Sequence, residues 1–390
     1  MARQYSRRTF LRQTPRAILK EYFAKKGVLG EIDFDQLSKR TSIEVLSDAI
    51  ERLPDAQRVA VEGDWEQVNE MAYARGVEAI LEEAAFRDLD WTDRFAQMSN
   101  HYERALRTFL DEPDLFYVAG HFEEMDRVGS WQRRTIYKNL EPKVERADLD
   151  TLATAIARLY KKQGRGRYCA VDNYLRKYPE RHCYFVYPED HPVTEPSFDN
   201  NGKLQQVPRR PVFEIIFVYR PVEGVLELSA GGNRDHKEDL MTALCQTILG
   251  LDDLPEEDPQ PDYDLSGLKN HEIAFPTDPE DGVESVDVKM LRLDLPGTRS
   301  RRITFEANPS RHAPRELHDL MAEALNQENV PLDSVHVARA RLRFTFAARN
   351  GSRQKTLTFE IAHPNRCTLK DDRHDQVAKK YLKRWHIARE

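Results

Sequence analysis

KKQGRGRYCAVDNYLRKYPERHCYFVYPED, residues 161–190, is where the chain changes period. Upstream, apolar residues recur at helical spacing. Downstream they alternate, as on strands whose successive side chains face opposite sides. The stretch opens with Lys161, Lys162 and Gly164-Arg165-Gly166-Arg167, a basic loop. It ends in an alternating aromatic run over 183–187, closed by Pro188. The switch predicts an α+β protein, with an N-terminal all-helical domain followed by mixed β-hairpin/helix modules.

Working upstream, residues 1–163 read as the helical domain. Thr14-Pro15 supplies an N-cap and a proline at the first helical position. Ile18, Leu19, Tyr22 and Phe23 then share a face, and Gly27 stops the helix. Ser42 opens a second helix, with Ile43, Leu46, Ile50 and Leu53 inward. Further helices are expected over 57–87, interrupted near Gly63 and Gly76, over 91–110, and over 148–162. Pro113 and the region of Gly120 and Gly129 read as loops. Trp65, Tyr73, Trp91, Tyr102 and Trp131 read as core anchors.

Downstream, residues 164–250 form a first α+β module carrying the basic pivot loop. It comprises a strand at 182–187, a long loop, a hairpin turning at Pro221-Val222-Glu223-Gly224, and a helix over 237–249. Residues 251–282 read as an acidic, proline-rich linker. Asp252, Asp253, Glu256, Glu257, Asp258, Asp262 and Asp264 occur there with Pro255, Pro259 and Pro261. Self-repulsion and proline predict an extended, mobile connector.

Residues 283–390 form a second, basic α+β module. A hairpin turns at Pro296-Gly297, and a helix covers about 314–326. Asn350-Gly351 then suits a two-residue type I′ turn. That turn pairs Phe344 with Leu357, Leu342 with Phe359 and Ala340 with Ile361, all on one face. Arg341, Arg343, Thr345, Thr356, Thr358 and Glu360 fall on the other. A last helix covers 372–389. The similarity of Asp239-Leu240-Met241 to Asp319-Leu320-Met321, each after a hairpin, raises the idea of an internal repeat.

Charge is unevenly placed along the 390 residues. From position 297 onward there are 19 Lys and Arg against 11 Asp and Glu, a balance of +8. The rest of the chain therefore carries −15 of the net −7. That asymmetry favours an anionic partner for the C-terminal part. Four scattered cysteines fit a reducing compartment. There is no apolar run of about 18 residues, so no membrane span is expected. Ser6-Arg7-Arg8 resembles the start of a twin-arginine export signal, but no uncharged apolar segment follows it. A cytoplasmic location is expected.

Tests for specific chemistry give little. His363, Cys367 and His374 lack the paired short spacing of a zinc site, so no metal and no cofactor is expected. Cys169 beside Arg167 could be an activated thiolate, but a small buried residue at the start of a packed segment is the commoner explanation. Asp287-Val288-Lys289 after Asp262 has the outline of a metal-dependent nuclease.

Three basic features remain. One is the pivot loop: Lys161, Lys162, Arg165, Arg167 and Tyr168. The second is the strand ladder Arg339, Arg341 and Arg343. The third is the terminal helix, with Lys379, Lys380, Lys383 and Arg384. The favoured reading is a non-enzymatic binding protein within a larger assembly, contacting DNA or RNA through these surfaces, with a protein partner or a homo-oligomer and no membrane. The alternatives are the nuclease of Asp262, Asp287 and Lys289, and an adaptor that binds an acidic protein.

Overall fold

The computed structural model describes residues 4–37, 42–129, 131–177, 179–199, 202–256, 261–297, 301–309, 315–326, 328–348, 354–370 and 372–389. Among them are 12 α-helices and 12 strands in antiparallel sheets, with most helices in the N-terminal half. The protein is of the α+β class. It divides into two compact units, Met1–Leu254 and Pro255–Glu390.

The first unit begins with α1 (Arg7–Gln13), α2 (Arg16–Lys26), α3 (Ser42–Glu51), α4 (Asp55–Met71), α5 (Ala74–Phe86), α6 (Thr92–Ala96), α7 (His101–Asp111) and α8 (Pro113–Arg127). Their core is aromatic. Phe10 stacks on Trp65 at 4.5 Å, and Tyr22, Phe23 and Tyr102 close around the pair. Gly27 ends α2 in the left-handed conformation at φ 66, which a side chain would resist.

Several breaks differ from the local reading. Helix α4 runs straight through Gly63, and the chain turns instead at Ala72 and Tyr73. Gly76 serves packing, because a Cβ there would collide with the Met71 carbonyl. The segment 91–110 is two helices rather than one. Asn100 caps α7 by accepting from the Glu103 N–H, while Glu103 accepts from the Ser99 N–H. Pro113, read above as a loop residue, is the first residue of α8, where its missing N–H costs nothing. Helix α8 then continues through Gly120.

Next come β1 (Gln132–Thr135), α9 (Arg146–Lys161), β2 (Cys169–Lys177), β3 (Glu180–Pro188), β4 (Val193–Phe198), β5 (Leu204–Arg209), β6 (Ile215–Arg220), β7 (Val225–Ser229) and α10 (Arg234–Thr247). The first sheet has the order β1-β7-β6-β3-β2. Both its faces are covered. Leu152, Ile156 and Tyr160 of α9 and Leu240 and Leu244 of α10 pack on Tyr184, Phe217 and Tyr219. Val118, Phe122 and Met125 of α8 pack on Cys183, Phe185, Ile216 and Val218 of the opposite face. This explains why β3 and β6 are buried on both sides. It also moves α9 out of the helical bundle, where its sequence position had put it, and onto the sheet.

Strands β4 and β5 form a separate two-stranded ribbon. They occupy what the sequence suggested was a long loop. Nearly every residue of the ribbon is solvent-exposed.

The second unit contains β8 (Val283–Asp294), β9 (Arg302–Glu306), α11 (Glu316–Ala324), β10 (His336–Phe346), β11 (Lys355–Ala362), β12 (Arg366–Cys367) and α12 (Arg373–Arg384). Its sheet has the order β12-β11-β10-β8-β9. Phe344 pairs with Leu357, Leu342 with Phe359 and Ala340 with Ile361, the register expected from the hairpin pattern. The turn residues Asn350 and Gly351 themselves lie outside the described residues. Helices α11 and α12 cover the apolar face through Leu317, Met321, Tyr381 and Leu382.

The expected acidic linker is largely part of this core. Tyr263, Leu265 and Leu268 are buried in it, and Tyr263 bridges to Ala388. Asp278 and Asp281 accept from Lys380, and Asp278 also accepts from Arg384. Cations from the terminal helix thus tie the C-terminal end of the stretch to the fold. Residues 257–260, in the middle of that stretch's proline-acid run, lie outside the described residues.

The two units do not share a connectivity. Strands β2, β3, β6 and β7 are consecutive neighbours, with α10 after them, whereas α11 sits between β9 and β10, and β10 pairs with β8. The sequence echo is only partial at the level of burial: Met241 and Met321 are both buried, but Leu240 is 0% exposed and its counterpart Leu320 is 39% exposed.

Candidate nucleic-acid interface

The pivot loop is held at the root of the β4–β5 ribbon. The Gly166 N–H donates to the Glu189 carbonyl, and the Glu189 N–H to the Tyr168 carbonyl. Gly164 and Gly166 both have φ of 77, and a Cβ on Gly166 would run into Tyr160. The two glycines are therefore needed for a tight turn, not for looseness.

Within this loop the cations divide. Arg165 is a structural residue. Its guanidinium lies 4.8 Å from the Tyr160 ring centre and 4.5 Å from that of Phe213, and it pairs with Asp190 at 3.0 Å. A backbone N–H from His191 and this arginine hold the Asp190 carboxyl below the usual range. Lys161, Lys162 and Arg167 are exposed, and none of them pairs with a carboxylate among the described residues. The Arg167 guanidinium sits 5.3 Å from the ring centre of Tyr168, itself 59% exposed. Cys169 is not an activated thiol: burial pushes it up to about 12.

The arginine ladder lies on the polar face of the second sheet, as expected, but its charges are spent. Arg341 donates to Glu360 through Nε at 2.9 Å and Nη2 at 2.6 Å, and to Glu306 at 2.7 Å. Arg343 donates to Asp287 at 3.1 and 2.7 Å and to the Pro309 carbonyl at 2.6 Å. Arg339 reaches Glu360 at 3.4 Å.

On the terminal helix, Lys380 and Arg384 are bound to Asp278 and Asp281 as described. Those hydrogen bonds lower both carboxyls, with Arg384 the first cause at Asp278 and Lys380 at Asp281. Lys379 is half-buried and Lys383 is exposed.

The residues of the nuclease reading are engaged in structural contacts. Asp287 is buried beneath Arg343. Lys289 donates to Asn308, and desolvation together with Arg343 lowers its affinity for a proton. Asp262 accepts at its backbone carbonyl from the Arg389 N–H. Among the described residues, no three His, Cys, Asp or Glu side chains are grouped so as to hold a metal ion. No helix among them is long and apolar enough to cross a membrane.

The sequence reading missed the ribbon beside the loop. Phe198 is 70% exposed and Leu204 57%, and they face each other across it. The alternation that marks a half-buried strand is absent because neither face of the ribbon is buried. The usable signal was Asp199 and Gly202 between two β-capable segments. The Asp199 carboxylate accepts from the Lys203 N–H to make the turn.

No protein-family model matches the chain, and comparison with curated proteins finds no significant relative.

Proposed function

We propose that the protein binds nucleic acid, without catalysis, through the C-terminal end of α9 and the pivot loop at the root of the β4–β5 ribbon. One observation carries the reading. Lys161, Lys162 and Arg167 are exposed and lack carboxylate partners, while the ladder and much of the terminal helix are internally neutralised. Unpaired cations release counterions from phosphates at no cost in broken ion pairs. Arg167 over Tyr168 adds a planar stacking surface for a base.

The test is fluorescence anisotropy with duplex and single-stranded oligonucleotides across a salt series. Replacing Lys161, Lys162 and Arg167 together by glutamine should flatten the slope of log K against log salt by about 2.7 for duplex DNA. Tyr168→Ala should weaken single-strand binding by about 1–3 kcal/mol. Absence of binding by the parent protein at low salt, or an unchanged slope in the triple variant, overturns the reading.

A further inference from the structure

The β4–β5 ribbon has two unlike faces. Asp199 donates its N–H to the Lys203 carbonyl, so the 199/203 pair is hydrogen-bonded. Pairs of the other parity, 198/204, 196/206 and 194/208, are then non-hydrogen-bonded, with side chains close together on one face. That face carries Phe198 and Leu204 toward the turn, with Pro196 and Pro208 behind them, and no charge. The opposite face holds Glu195 and Arg209.

The prolines also decide what the ribbon does not do. At non-hydrogen-bonded positions the backbone N–H points outward, and proline has none. Pro196 and Pro208 therefore remove a donor from the middle of one free edge and from the root of the other, which disfavours strand addition by a partner or a second copy. What is left is a projecting arm. Six residues per strand reach about 17 Å. The arm carries Phe198 and Leu204 beside a turn in which the Asp199 carboxylate is held by the Lys203 N–H, and exposed cations lie at its root. Apolar side chains presented between phosphate-binding cations are the chemistry of a wedge that unstacks a base step and bends the duplex.

We propose that the arm enters duplex DNA and inserts Phe198, supported by Leu204, between two base pairs. This rests on the nucleic-acid reading above, and it assigns the ribbon a role distinct from that of the cations. The root supplies affinity through phosphates, and the tip supplies deformation. A flexible pyrimidine–purine step is the cheapest place to open, so the arm favours such steps.

The experiment uses the full chain and a duplex of about 25 base pairs carrying 2-aminopurine at a central TA step and a dye pair at its ends. Binding of the parent protein should raise 2-aminopurine fluorescence and bring the ends together. Phe198→Ala with Leu204→Ala should abolish both changes and lower affinity about tenfold, with the salt slope unchanged. Phe198→Trp should preserve both changes. The glutamine triple variant should lose affinity and slope but still unstack the duplex at saturating protein. Binding by the parent without fluorescence or distance change overturns the wedge and leaves the nucleic-acid reading standing. No binding at all overturns both. Loss by the tip variant of self-association, or of binding to anionic vesicles, would give the tip to a second copy or a lipid surface and overturn the wedge.

Discussion

The pivot loop and the arginine ladder look alike in sequence, and the structure treats them oppositely. Each offers closely spaced arginines. In the ladder, Arg341 and Arg343 hold carboxylates from three other strands: Glu306, Glu360 and Asp287. In the loop, Arg165 is stacked and paired, while Arg167 and the two lysines behind it reach solvent. A count of basic residues therefore measures charge, not free charge. Partners up to 56 residues away decide which cations are available.

The strongest way to break this comparison is to remove an arginine from each side and measure stability. Arg343→Met strands the buried Asp287 carboxylate and should cost about 3 kcal/mol in urea unfolding of the second unit. Pairing it with Asp287→Leu should recover most of that loss. If Arg343→Met proves neutral, the ladder is not held by its ion pairs.

Acid titration probes the same unit. Burial raises Asp375 to about 6, above the ordinary aspartate value of 3.8. Its native state is thus favoured by protonation, and stability should rise as pH falls from about 6 toward 4, by at most about 3 kcal/mol. Asp278 and Asp281 are shifted the other way by Arg384 and Lys380. Their contribution is present above 3.8 and is lost as pH falls through their depressed values. His318 and His363, whose proton affinity burial lowers, oppose the Asp375 gain as pH falls, so thermal unfolding followed by circular dichroism reads each limb as the Tm difference between parent and variant. Asp375→Asn should flatten the upper limb, and Asp278→Asn with Asp281→Asn the lower. A Tm difference between the parent and Asp375→Asn that stays constant from pH 6 to pH 4 would contradict the Asp375 assignment.

The ladder can also be converted into a loop-like surface. Glu306→Gln with Glu360→Gln removes the charges that neutralise Arg341 and Arg339. If pairing is what silences the ladder, the double variant should gain nonspecific DNA affinity, with a salt slope steeper by about two. An unchanged slope would mean that geometry, not charge, keeps phosphates away. The smallest expected effect is on the loop itself. Arg167→Met should change unfolding free energy by no more than about 0.5 kcal/mol, because the side chain is exposed and its one contact is Tyr168.

What the sequence could disclose follows from the range of the interactions. The β10–β11 pairing was readable because alternation and the expected turn agree within about twenty residues, and the observed register matches. The α+β class was readable from the change of period near 161–190. Strand β2 was not, because Asp172, Asn173 and Arg176 interrupt its apolar pattern. Arg176 is nevertheless buried, paired with Glu83 of α5 and lying 3.5 Å from the Phe122 ring centre. Helix α9 showed its period but not its partner. The acidic stretch misled for the same reason: Tyr263, Leu265 and Leu268 pack into the second core, and Tyr263 bridges to Ala388, far along the chain. Of the candidate site, the sequence marks the loop cations as a cluster, while their division into packed and exposed depends on contacts such as Arg165 with Phe213.

The ribbon's place in the chain has a consequence for how the molecule can be altered. Strands β3 and β6, which flank it, are antiparallel neighbours, and Glu189 still bridges Val212 just beyond them. The arm is therefore a cassette spliced into a hairpin that would close without it. Its side chains lie outside the hydrophobic cores, and lengthening such a loop costs little entropy. The sheet can tolerate arms of different length or tip at this one seam, so reach and tip chemistry can change independently of the cations below.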